Sequence, residues 1–240
     1  MTTIVSGFIT NINSYRNIEK YIEFGKKLCK ININKVIFIE EIIYNAYFKD
    51  ETYESTTFIF TSKEQLYLYK YNENENDLIN FNKLCTDNKS KDTIEYMFVQ
   101  NNKTEWIREA IDKNPYNTNH FIWIDFGIFH IINDDELFNE CICKFKNKSY
   151  ENIRIGACNF TQALSIYTNI HWLFLGGIFG GSSKKLLEFA DLTKIKCIET
   201  IQNKNTIMWE VNIWYLIYLE HQDLFDTYIA NHNKTMLIEY

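Results

Sequence analysis

From its first residues this chain alternates short apolar runs with segments of helical period. Thr3 to Ile9 reads as a buried strand. The spacing of Ile18, Tyr21, Ile22, Phe24 and Leu28 predicts an amphipathic helix over Asn17–Cys29, and Lys35–Glu40 and Thr56–Thr61 read as two more strands. Strand, helix, strand is the opening of a βαβ unit, so the expected class is α/β, with a mostly parallel sheet flanked by helices. The pattern continues. Ser90–Gln100 ends in Tyr96-Met97-Phe98-Val99, read as a fourth strand. Lys103–Asn114 is a helix stopped before Pro115, because proline disfavours helix at the residue before it. Phe121 to Asp125 is the clearest strand, four apolar residues followed by a carboxylate. Helices are expected over Asp134–Phe145, Ser183–Leu192 and Asn205–His221, and strands over Ile153–Phe160 and Trp172–Phe179. No repeat and no Gly/Pro/Ser linker divides residues 1–240, which points to one domain.

Composition narrows the function classes. The net charge of −6 disfavours a generic nucleic-acid binder. The six cysteines form no CxxC pair, and the expectation is free thiols in a reducing compartment. The N-terminus lacks a basic segment followed by an apolar one. The most apolar stretch, Ile170–Gly181, is shorter than the roughly 20 residues needed to span a bilayer. A cytoplasmic protein without a membrane span is therefore expected. The chain has no GxGxxG, no P-loop, no HExxH and no GxSxG.

Three segments stand out. Asp125 leaves its strand in Trp123-Ile124-Asp125-Phe126-Gly127, where open α/β sheets bind ligands; it reads equally as a turn or helix cap. The chain has only eight glycines, and four of them fall in Gly176-Gly177-Ile178-Phe179-Gly180-Gly181. That concentration predicts an unusual backbone there, serving either close approach of a ligand or a tight turn. Gly180-Gly181-Ser182-Ser183, ahead of a helix, could also set N–H groups against an anion. Third, Glu210 and Asn212 sit among large apolar residues in Trp209-Glu210-Val211-Asn212-Ile213-Trp214. A carboxylate so placed can act at a reacting centre. The plainer reading is an amphipathic helix with Trp209, Ile213, Ile217 and Leu219 on its apolar face and Glu210 and Asn212 on its polar one.

Taken in order, these segments resemble the HtrL/YibB-like family and, more broadly, nucleotide-sugar glycosyltransferases of the GT-A type. The matching residues are Thr3-Ile-Val-Ser-Gly-Phe8, Asn114-Pro-Tyr-Asn-Thr118, Phe121-Ile-Trp-Ile-Asp-Phe-Gly-Ile128, Gly176-Gly-Ile-Phe-Gly-Gly-Ser182, Trp209-Glu-Val-Asn212 and Asp223-Leu-Phe-Asp-Thr-Tyr228. The resemblance implies a single-domain GT-A-like (Rossmann-like) fold. It implies transfer of a sugar from a nucleotide-diphosphate donor, such as a UDP-sugar, to a hydroxyl on a glycan or protein. Ser6, Gly7 and Phe8 would surround the base, and Arg16 would meet the ribose or diphosphate. Asp125 would hold ribose and a Mn²⁺ or Mg²⁺ ion, with His232 completing the metal site. Gly176, Gly177, Phe179 and Gly180 would line the sugar and acceptor with Trp209 and Asn212, and Glu210 and Asp125 would be catalytic. Gly127 stands where a second carboxylate often lies. The alternative is a nucleotide- or glycan-binding protein that keeps the fold without catalysis.

Overall fold

The computed structural model describes residues 1–10, 17–75, 82–86, 91–163 and 165–240. Among them the strands are β1 (Thr2–Phe8), β2 (Asn34–Ile39), β3 (Thr56–Phe60), β4 (Asn82–Lys83), β5 (His120–Ile124), β6 (Ile153–Ala157), β7 (Phe174–Ser182), β8 (Thr206–Ile207) and β9 (Phe225–Ile229). The α-helices are α1 (Ile18–Lys30), α2 (Glu41–Tyr47), α3 (Tyr67–Glu75), α4 (Ile94–Asn101), α5 (Lys103–Lys113), α6 (Asp135–Phe145), α7 (Ser183–Lys204), α8 (Glu210–Glu220) and α9 (Thr235–Ile238). Seven strands form one sheet in the order β3-β2-β1-β5-β7-β6-β9, and β4 pairs with β8 separately. Every neighbouring pair in the large sheet is parallel except β5–β7 and β6–β7, so β7 alone runs against its neighbours. This is the expected α/β class, a mixed and mostly parallel sheet flanked by helices.

Side chains of alternate parity leave opposite faces of a strand, and β5 uses this to divide the core. Phe121 and Trp123 join one buried cluster with Trp106, Phe179, Phe189 and Trp214. Ile122 and Ile124 join the other with Phe24, Phe126, Phe138 and Tyr240. Helices α4, α5, α7 and α8 cover the first face, and α1, α2, α6 and α9 the second. From β1 the chain steps outward to β2 and β3, then returns on the other side of β1 as β5. The carboxyl ends of β1 and β5 therefore flank a topological switch point, where open sheets leave a crevice.

Several sequence expectations change. Tyr96–Val99 is helical, not a strand. The Thr93 hydroxyl accepts the Tyr96 N–H at 3.1 Å, and this cap with Glu95 in the first turn outweighs the β preference of four residues. The glycine cluster is neither an unusual backbone nor a turn: no glycine has positive φ, and β7 runs straight through it. The glycines are needed for space. A Cβ on Gly180 would overlap the Tyr240 hydroxyl and come within 2.5 Å of the Phe121 carbonyl, and one on Gly181 would reach 2.7 Å from that of Asn152. The helix after the cluster runs on to Lys204, stopped by Asn205 at φ 50°. That shortens the next helix, which starts at Glu210. It is not amphipathic through its first two turns. Every residue from Glu210 to Ile217 is buried, while Leu219, expected on the apolar face, is exposed.

Candidate active site

A cleft of about 490 Å³ opens at the switch point. Gly7 and Phe8 at the end of β1 line it, with Asp125 just past β5, Gly176 and Gly177 near the start of β7, Tyr96 of α4, Trp209 and Glu210 at the start of α8, and His232. Because β7 is antiparallel to β5, its first residues meet the end of β5, and the Asp125 N–H donates to the Gly177 carbonyl at 2.9 Å. The sheet topology thus joins segments of the chain that are far apart in sequence.

Lys103, the first residue of α5, links the two candidate carboxylates. Its ammonium lies 3.0 Å from Asp125 Oδ1 and 3.1 Å from Glu210 Oε1, and it donates to the Gly176 carbonyl at 3.0 Å. An ammonium has three N–H donors, and all three are used. The Lys103 and Glu210 side chains are 3% and 4% exposed, and that of Asp125 is 32% exposed. Burial pushes the Lys103 ammonium toward neutrality, but the Asp125 and Glu210 carboxylates outweigh it and hold its pKa above the ordinary lysine value. The Trp123 indole donates to the same Asp125 Oδ1 at 2.7 Å. Glu210 Oε2 is buried with no partner within the protein. A buried acceptor left unpaired costs about 1–3 kcal/mol and calls for an explanation such as a ligand donor.

Asp125, Gly7, Phe8, Gly176, Gly177, Trp209, Glu210 and His232 are brought together in the cleft. Four other residues lie outside its lining. Ser6 is buried and donates to the Ile124 carbonyl at 2.6 Å. Phe179 packs in the core against Trp123 and Trp214, and Gly180 sits in the sheet opposite Ile122. Asn212 accepts from the His171 N–H and donates to the Ile166 and Asn169 carbonyls, at 2.9, 2.8 and 2.9 Å, and so binds that segment to α8. Arg16 lies outside the described residues. Nor does the start of α7 offer N–H groups to the cleft. Ser182 caps it and Ser183 N–H donates to Asn119, at the end of β7 that pairs with the start of β5.

Asp125 and His232 share the cleft, and the Asp125 charge pulls the His232 pKa upward. Lost hydration, then His130 and Lys91, lower it by more, and the balance falls below the ordinary value. Among the described residues no three His, Cys, Asp or Glu side chains form a metal-holding group. Asp125 Oδ1 is engaged by Trp123 and Lys103, and Asp125 and His232 both line the cleft. One carboxylate and one imidazole are an incomplete donor set, so a cation held here would need further ligands from substrate or water. At position 127 packing favours glycine over a carboxylate, since a Cβ there would run into the Tyr21 ring.

Lys103 is the residue that sequence reasoning missed. A cation in the first turn of a helix opposes the positive end of the helix dipole. That mismatch was the available signal that Lys103 has acidic partners elsewhere.

A family model described as "Bacterial protein of unknown function (HtrL_YibB)" matches residues 2–234. No curated protein matches the chain. Among solved structures, the apo form of mouse xyloside xylosyltransferase 1 is similar at 11% identity and a TM-score of 0.46, over 95% of this chain and 85% of that one. Among the described residues no helix is long and apolar enough to cross a membrane.

Proposed function

This chain belongs to the HtrL/YibB family, and we propose that it is a GT-A-type glycosyltransferase acting on a nucleotide-sugar donor and a hydroxyl acceptor. The observation that carries this reading is the Lys103-bridged pair of Asp125 and Glu210 at a switch-point cleft, with Glu210 Oε2 free to accept a hydrogen bond. Open α/β sheets hold nucleotides at such crevices. The base of a donor such as a UDP-sugar lies by Gly7 and Phe8, where Phe8 stacks on Phe126 at 4.8 Å. Its sugar lies beside Gly176, Gly177 and Glu210. A Cβ on Gly176 would stand 2.8 Å from Glu210 Oε1, so glycine keeps that carboxylate in place.

Glycosyl transfer separates a diphosphate from an anomeric carbon and aligns an acceptor hydroxyl with it. Glu210 receives that hydroxyl through Oε2, as base or as hydrogen-bond acceptor, while Lys103 fixes the carboxylate through Oε1. Asp125 orients the ribose. Asp125 and His232 would hold a divalent ion, Mn²⁺ or Mg²⁺, which would supply positive charge to the leaving diphosphate.

The second reading, a nucleotide- or glycan-binding protein without catalysis, draws on the packing of Tyr21 over Gly127. Incubation with a panel of nucleotide sugars, followed by NMR, separates the two. Release of sugar or its transfer is expected, falling about 100-fold or more in Glu210→Gln with donor affinity retained. Saturable binding of the panel without turnover would favour the second reading.

A further inference from the structure

Trp172 is 43% exposed and lines the same cleft as Glu210. A lone exposed aromatic needs no explanation, but this one has unusual surroundings. Its ring meets Trp209 edge-on at 5.6 Å and 69°. Trp209 is 4% exposed, and its indole N–H is buried without an acceptor in the protein. The next residue is Glu210, whose Oε2 lacks a donor. Trp172, Trp209 and Glu210 all line the cleft, so this part of its wall brings an exposed indole beside a buried unpaired donor and a buried unpaired acceptor.

Trp172 is also held in register with Glu210. Asn212, two residues after Glu210 on α8, makes its three hydrogen bonds to Ile166, Asn169 and His171, which lead directly into Trp172. The His171 ring packs on Tyr215 of the same helix at 4.3 Å, and the Trp172 carbonyl accepts from the Cys158 thiol at 3.1 Å. The segment that carries Trp172 and the helix that carries Glu210 are therefore tied together by these contacts.

We propose that Trp172 and Trp209 form the acceptor subsite and that the acceptor is a saccharide. A pyranose has an apolar C–H face that covers an indole ring, and hydroxyls that both donate and accept. It therefore satisfies the ring face, the Trp209 N–H and Glu210 Oε2 together, which a serine or threonine side chain on a peptide cannot. Asn212 is a positioning residue that acts through Trp172. This inference rests on the nucleotide-sugar reading of the same cleft.

The test is saturation-transfer NMR on the full chain with saturating UDP. The probes are methyl β-glycosides of glucose, galactose and N-acetylglucosamine, with a serine- and threonine-containing peptide for comparison. At least one glycoside should receive saturation on its ring protons. Its affinity should fall about fivefold or more in Trp172→Ala and persist in Trp172→Phe, with UDP affinity unchanged in both. UDP binding with no glycoside signal, or with peptide binding alone, would overturn the saccharide subsite and leave the donor reading standing. Glycoside binding that depends on Trp172 without UDP binding would support the subsite and count against the donor reading. Loss of both ligands would overturn both.

Discussion

Replacing Lys103 with methionine removes the cation on which two carboxylates converge. Asp125 is partly hydrated and keeps the Trp123 N–H, so its loss is cushioned. Glu210 has no such relief, because Oε1 relies on Lys103 and Oε2 has no partner in the protein. Breaking a buried pair from one side costs about 3–5 kcal/mol. For a chain of this size that lowers Tm by roughly 10 °C. The cost should depend on pH. In wild type the Lys103 pKa is raised, so its contribution is complete at neutral pH and is lost only as pH rises through that raised value. In the variant that contribution is missing, so the deficit should be full from about pH 7 to about pH 8. Urea unfolding of Lys103→Met across that range measures it. The double variant Lys103→Met/Glu210→Gln should recover at least half the loss, since a neutral amide needs no counter-charge. A single variant within about 1 kcal/mol of wild type at pH near 8 would refute the reasoning.

Burial, with the N-terminal ammonium second, pushes the His120 imidazole down to about 4, so it folds neutral and the unfolded chain alone takes up a proton as pH falls. About 3 kcal/mol of stability should be lost progressively between pH 6.5 and 4, and His120→Asn should flatten that window in urea titrations. The glycines of β7 should separate by position. Gly180→Ala presses on the backbone of β5 and should destabilise by about 2 kcal/mol or more. Gly176→Ala presses on Glu210 Oε1 and should reduce turnover more than Tm.

Much of the frame was legible because it depends on local pattern. The run Phe121–Ile124 followed by Asp125 marked the central strand and the carboxylate at its end, which lines the cleft, whereas the glycine cluster, read as an unusual backbone or a turn, is ordinary strand. Which glycines face the cleft was not legible. That depends on β7 entering the sheet antiparallel beside β5, so Gly176 and Gly177 meet Asp125 while Phe179 and Gly180 fall in the interior. Ser6 was misplaced for a similar reason: its side chain hydrogen-bonds to the neighbouring strand, while Gly7 and Phe8 reach the cleft. Asn212 proved to hold a neighbouring segment because its partners lie more than 40 residues earlier in the chain. Lys103 was hidden by its ordinary helical surroundings, and only its conflict with the helix dipole set it apart.

The central claim is that the cleft ending at Asp125 holds the nucleotide diphosphate of a sugar donor. Calorimetric titration of UDP in the presence of Mn²⁺, into wild type and Asp125→Ala, tests it most directly. Saturable one-to-one binding to wild type is expected, weakened about tenfold or more in the variant, whose folded state is preserved. Equal affinity for both proteins, or no binding of UDP or any other nucleoside diphosphate to wild type, would contradict it.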